Sequence, residues 1–148
     1  MACLAETGQV TVWDMPTGAT PKGKRELDRY RVLSGLGALP DGPVWMEQVA
    51  SMPGQGVSSS FRFGEGVGIL KMAVAACGRE LRMVPPSVWK RHFGLVFPKG
   101  TPKASVKNAS RMMACSRFPQ MVEQLARVKD EGRAEALLIA LYGREVSA

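Results

Sequence analysis

The chain has 148 residues, 45% of them hydrophobic and 22% charged, which is enough to bury a core without disulfides or a structural metal. Twenty Lys and Arg against thirteen Asp and Glu give a net charge of +7, a balance that favours a polyanionic partner through counterion release and also fits a basic protein with no such partner. Three scattered cysteines without a CxxC pair argue against a disulfide framework or zinc site, and the longest apolar stretch, Ala136 to Tyr142, is too short to span a bilayer.

Ala2 to Leu4 and Val10 to Trp13 are apolar runs around Glu6-Thr7-Gly8-Gln9, the pattern of a β-hairpin. Thr17 to Lys24 reads as a loop, and Lys24 to Leu33, with Leu27, Tyr30 and Leu33 three apart, as an amphipathic surface helix. After the turn Pro40-Asp41-Gly42-Pro43, Val44 to Val49 fits a buried strand, and Ser51 to Ser60 is loop by composition. Phe63 to Cys77 is helical in pattern, with Val67, Leu70 and Val74 on one stripe and Gly78 placed to stop it. Leu81 to Val84 reads as a strand ended by Pro85-Pro86. Lys103 to Phe118 reads as a basic helix with Met112, Met113 and Cys115 turned inward. The last helix, from about Glu131 to Tyr142, is apolar almost all round in its second half and is expected to pack on a sheet. A hairpin followed by alternating helices and strands gives an α/β sandwich with a mixed sheet, in a single domain.

Two catalytic readings fail on the residues. His92 is the one histidine, and no G-x-S-x-G elbow or nearby Cys supports a triad, so it reads as an exposed structural side chain. Gly64-Glu65-Gly66-Val67-Gly68 lacks the third glycine of a dinucleotide loop, since Ile69 stands there. Gly64 and Gly68 read instead as one helix face that a neighbouring helix can approach closely.

The acidic residues are more informative. Glu47 interrupts an apolar run near the end of a strand, where a carboxylate is costly unless paired or bound to a cation. Glu131 and Glu135 are spaced i,i+4, roughly 40° apart on one helix face, with Asp130 read as the N-cap. Converging carboxylates are matched by a hard divalent cation such as Mg²⁺, which takes oxygen ligands and keeps waters. The same acids also suit a helix N-terminus and a solvated surface, and spacing alone leaves both readings open.

Several segments, in order along nearly the whole chain, resemble the phage-type branch of RuvC-like Holliday-junction resolvases. They are Asp14-Met15-Pro16-Thr17, Met46-Glu47-Gln48-Val49, Met52-Pro53-Gly54-Gln55-Gly56-Val57 and Ser60-Phe61-Arg62-Phe63-Gly64. Val84-Pro85-Pro86-Ser87-Val88-Trp89-Lys90, Lys103-Ala104-Ser105 and Gly132-Arg133-Ala134-Glu135-Ala136-Leu137-Leu138-Ile139-Ala140 complete the set.

That resemblance implies an RNase H-like three-layer α/β fold, a mixed central sheet flanked by helices, and a cytoplasmic homodimer in a bacterial cell or phage-infected host. The implied activity is symmetric cleavage of four-way DNA junctions by two Mg²⁺ ions, with Mn²⁺ as a substitute and no small-molecule cofactor. It places Glu47, Glu131 and Glu135 as metal ligands, with Glu131 standing where the family usually has Asp. Lys90 and Lys103 fall at basic positions beside the scissile strand, assigned to phosphate contact and charge neutralisation. Met52, Gln55, Ser58, Ser59, Arg91 and Lys107 complete the expected DNA contacts; Met52 is either a wedge between unstacked bases or ordinary packing.

Relatives open with a strand bearing Asp-Pro-Gly, whose Asp is a further metal ligand. No Asp-Pro-Gly occurs here, so the resemblance implies a nuclease domain lacking its first strand, through a start codon assigned too late, a pseudogene product, or a strand donated by another chain; the first is favoured. A junction-binding module without activity, and a same-fold nuclease acting on other branched DNA or RNA, are the alternative functions.

Overall fold

In chain order the elements are β1 (Ala2–Leu4), β2 (Val10–Val12), β3 (Thr17–Ala19), β4 (Arg25–Leu27), α1 (Arg29–Gly37), β5 (Val44–Glu47), α2 (Val57–Ala76), β6 (Leu81–Val84), α3 (Pro86–His92), α4 (Lys103–Arg117) and α5 (Glu131–Ser147), with 3₁₀ segments at Pro119–Leu125 and Val128–Asp130. The structure is a computed structural model describing residues 1–21, 23, 25–50, 54 and 56–147, with the side chains of Lys103 and Lys107 outside that description. Two compact units form, Met1–Asp14 with Val84–Ala148, and Met15–Met83.

In the first unit, β1 and β2 make the expected hairpin, antiparallel with Ala2 opposite Val12 and Leu4 opposite Val10. Gly8 takes φ +84 in its turn, a conformation L side chains disfavour, and donates its N–H to the Ala5 carbonyl at 3.0 Å. Helix α5 packs on β1 and β2, as an apolar C-terminal helix should, and also against α3 and α4. Its buried residues Ala134, Leu137, Leu138 and Leu141 follow the 3.6-residue period of one core-facing stripe. That burial continues past Tyr142 to Gly143, and the helix runs five residues further than the sequence indicated.

The Pro85-Pro86 pair does end β6, but Pro86 also opens a helix, α3, that periodicity did not reveal. Proline suits a first helical position, because its missing N–H would lack an intrahelical partner there. The helix has only seven residues, so its single fully buried side chain, Trp89, gave no repeat to read. In α4 the inward side belongs to Ser110 and Ala114, while Met112 is exposed and Met113 and Cys115 are half-buried. The small residues let α4 lie close against α5, and the larger Met112 is left on the outer side.

In the second unit, two sequence expectations give way to strands. Thr17–Ala19 is β3, paired antiparallel with Arg25–Leu27 as β4, where a loop and the start of a helix were expected. The helix begins later because Asp28 caps it, its carboxylate accepting from the Arg31 N–H at 3.1 Å. The register then buries Val32 and Leu36, while Tyr30 is exposed. These two pack with Ala73 and Val74 of α2, surrounded by Leu27, Leu39, Val44, Leu70, Cys77 and Leu81.

Helix α2 begins at Val57, six residues before the apolar periodicity became visible, because its first turn is Ser-rich and lacks a core-facing repeat. Its end is as expected: Cys77 is the C-cap, and Gly78 follows at φ +65. The close helix approach expected at Gly64 and Gly68 does not occur among the described residues of this unit. A Cβ at either would meet no atom within 4 Å, since the neighbouring packing lies on the opposite, Ala73–Val74 part of the helix.

Leu81–Val84 forms a strand as expected, whereas the strand expected to be buried over Val44 to Val49 ends at Glu47 and is half-buried; the two pair with each other, the Val44 N–H donating to the Glu80 carbonyl at 2.8 Å. Among the described residues the six strands make three separate two-stranded sheets. The expected single central sheet is therefore replaced by local pairs, because no described strand has a neighbour on both sides. What stands is a mixed α/β fold of small sheets and helices.

Candidate functional site

The predicted acids and bases fall on four elements, β5, α3, α4 and α5. Glu131 is the first residue of α5 and Glu135 lies one turn on, both half-buried. Positions 134, 137 and 138 anchor that helix in the core, so the adjoining 131/135 stripe is held at the border between core and solvent. Lys90, from α3, meets it there: its ammonium lies 3.2 Å from Glu135 Oε1, with side-chain exposures of 29% and 25%. The same ammonium sits 5.1 Å from the ring centroid of buried Trp89, a cation–π contact that fixes the lysine from below. Two carboxylates and a lysine from separate elements thus occupy one border of the first unit.

Glu47 is the last residue of β5 in the second unit and is half-buried. Within neither unit do three His, Cys, Asp or Glu side chains gather among the described residues. The donors on α5 fit a hard divalent cation in kind, because both offer carboxylate oxygen and neither position offers sulfur or imidazole.

The expected DNA contacts divide in the same way. Arg91 is exposed in the last turn of α3, and Ser58 and Ser59 are exposed in the first turn of α2. Lys103 is the first residue of α4, with Lys107 one turn later. Met52 and Gln55, and the side chains of Lys103 and Lys107, lie outside the described residues.

Sequence reasoning missed the bonds that anchor the start of α5. Arg133 donates through Nε to Asp14 Oδ1 and through Nη2 to Oδ2, both at 2.7 Å, and through Nη1 to the Gln124 carbonyl at 3.3 Å. The fork holds the Asp14 carboxyl below its usual range. Arg133 sits between Glu131 and Glu135 in sequence, so β2's end is tied to the very turn that carries both acids. No local signal could reveal a pair separated by 119 positions. Asp130, expected as an ordinary N-cap, instead turns back on Arg127: it accepts from that residue's N–H at 2.9 Å and from its guanidinium at 2.9 Å. The Arg127 guanidinium is the main reason its carboxyl falls to about 2. His92 is exposed, as expected, and contacts Glu145 at 2.6 Å.

A mixed α/β architecture of small sheets and helices, with paired carboxylates at a helix start beside a lysine, is compatible with a nuclease fold. The chain is 31% identical, over 165 aligned positions and 93% of its length, to the Holliday junction resolvase MOC1, chloroplastic, of Chlamydomonas reinhardtii. It spans 18% of the length of that relative. No protein-family profile matches it. Among the described residues, no helix is long and apolar enough to cross a membrane.

Proposed function

We propose that this chain is the nuclease domain of a structure-specific endonuclease that resolves four-way DNA junctions by metal-dependent phosphodiester hydrolysis. The observation that carries the reading is the similarity to a Holliday junction resolvase across 93% of the chain. The RuvC-like phage-type assignment, the RNase H-like fold with a further strand, the cytoplasmic homodimer and the two-Mg²⁺ requirement belong to the same proposal.

In this reading Glu131 and Glu135 would hold divalent ions through their carboxylates, and Glu47 would be the further ligand that the resemblance implies. When bound, such ions activate water and stabilise the leaving oxygen in an in-line displacement. The chain's own residues do the rest. Lys90 balances the Glu135 charge while no substrate is present, and its ammonium is then within reach of a phosphate that approaches the same border. Trp89 and the Asp14–Arg133 fork limit movement of these groups, so that little reorganisation is needed during the reaction. The +7 charge draws in the polyanion, and Lys103, Arg91 and Lys107 add phosphate contacts.

The test is nicking of a synthetic four-way junction by the purified chain in Mg²⁺ and in Mn²⁺, with a linear duplex and other branched DNA or RNA as controls. Cleavage confined to the junction, and abolished by Glu47→Gln and by Glu135→Gln, supports the proposal. Retained cleavage in both variants disposes of it. Junction binding that weakens with salt, without cleavage in either metal, supports the second reading, a binding module.

A further inference from the structure

The second unit carries an open cleft of about 640 Å³, lined by Thr20, Pro21, Arg25 and Glu26 on the β3–β4 side and by Val57, Ser58, Phe61 and Arg62 on α2. Of its lining residues, Ser58 alone is among the expected DNA contacts.

Helical spacing explains the α2 wall. Val57 and Phe61 are one turn apart and share a face, and Ser58 and Arg62 form the adjoining stripe. The apolar pair is solvated: Val57 is 87% exposed and Phe61 73%. The two side chains form an exposed apolar strip in a cleft that two guanidinium groups also line. Arg25 stands across the cleft, held by two bonds from Nε and Nη2 to Thr17 Oγ1, at 2.9 and 2.7 Å. Arg62 is exposed beside the ring. Two guanidinium groups against the single carboxylate of Glu26 leave the wall positive. An exposed ring in a cleft that two cations also line matches an unpaired nucleotide, with its base on the ring and its phosphate on the guanidinium groups. Bases in an intact duplex are stacked on one another and cannot take that position.

From this cleft we infer that the chain has a single-strand DNA platform, in which Phe61 stacks an unpaired base and Arg25 and Arg62 hold its phosphates. The choice of DNA rests on the resolvase reading; the recognition of an unpaired strand rests on the cleft. The platform engages DNA whose pairing has opened.

The experiment is fluorescence anisotropy of a labelled short oligothymidylate with the full chain and with Phe61→Ala, Phe61→Trp and Arg62→Gln. Phe61→Ala is expected to weaken binding by about tenfold, with Phe61→Trp restoring it to within about twofold. Arg62→Gln should lower the salt slope by about 0.7, the loss of one single-strand phosphate contact. Affinity for a blunt duplex should be the same in Phe61→Ala as in the unaltered chain. Thermal unfolding of each variant checks that the fold is kept. No oligothymidylate binding by the unaltered chain, or binding indifferent to Phe61, overturns the inference. Binding that responds to Arg62 alone also overturns it, since that is general attraction of an anion. The two proposals fail separately. Phe61-dependent oligothymidylate binding with no junction cleavage sinks the nuclease and keeps the platform, whereas junction cleavage with Phe61-indifferent binding does the reverse.

Discussion

Lys90 on α3 and Glu135 on α5 form an ion pair at 3.2 Å, with the lysine also over the Trp89 ring. The pair lies at the protein's border, so its contribution to folding is small, and its value is chemical. Lys90→Met is expected to change unfolding free energy by less than about 1 kcal/mol and to slow single-turnover junction cleavage by about a hundredfold. Urea unfolding alongside a cleavage time course checks both. A variant that cuts at the unaltered rate would remove Lys90 from the reaction.

Asp130 gives the chain a defined acid sensitivity. Its carboxyl is held at about 2 by Arg127, below the ordinary 3.8, and Asp14 is also lowered, by Arg133. A depressed folded-state value means the stabilisation is fully present above about pH 4 and is lost as pH falls toward 2. Asp130→Asn should therefore flatten the fall of stability with acid in that window. Thermal midpoints measured between pH 6 and about 2.5 would show it.

The buried stripe of α5 should be the most costly place to truncate. Leu138 is fully buried, so Leu138→Ala is expected to destabilise the chain by about 2–5 kcal/mol. Denaturant unfolding measures this. Because Leu138 stands one turn after Ala134 and three residues after Glu135, Mg²⁺ dependence of cleavage should shift in the same variant at temperatures where it stays folded.

A fourth prediction concerns the start of α1. Asp28→Ala removes the side-chain bond to the Arg31 N–H and should cost about 1 kcal/mol. Asp28→Asn, which keeps an acceptor oxygen, should cost much less. Equilibrium unfolding of both variants separates the cap from its ion pair with Arg31.

Elements with a strong local code were legible in the sequence. The β1–β2 hairpin, β5, β6, the Gly78 stop of α2 and the apolar stripe of α5 all appear where turn residues and periodicity put them. The misreadings share a cause. β3 (Thr-Gly-Ala) and β4 (Arg-Glu-Leu) carry no apolar run to mark a strand and exist through their pairing, and the seven-residue α3 has a single buried side chain and so no repeat. At the candidate site, the i,i+4 spacing of Glu131 and Glu135 gave the carboxylate pair, and Lys90 came from resemblance. The Asp14–Arg133 fork was invisible because nothing local marks a contact between positions so far apart. The exposed Phe61 was equally hidden: it falls between the expected Ser51–Ser60 loop and the helical pattern that begins at Phe63, where no period fixes its accessibility.

Only one edge of β1 is occupied among the described residues, by β2. The opposite edge offers a row of amide donors and carbonyl acceptors over Ala2–Leu4, with α5 lying across the same small sheet. Such a border recruits any extended segment that comes by, whether attached to the same polypeptide or carried by a neighbour. Concentrated preparations should accordingly self-associate unless a strand is supplied there. A peptide that docks along it would stiffen the layer on which both acidic side chains of α5 depend.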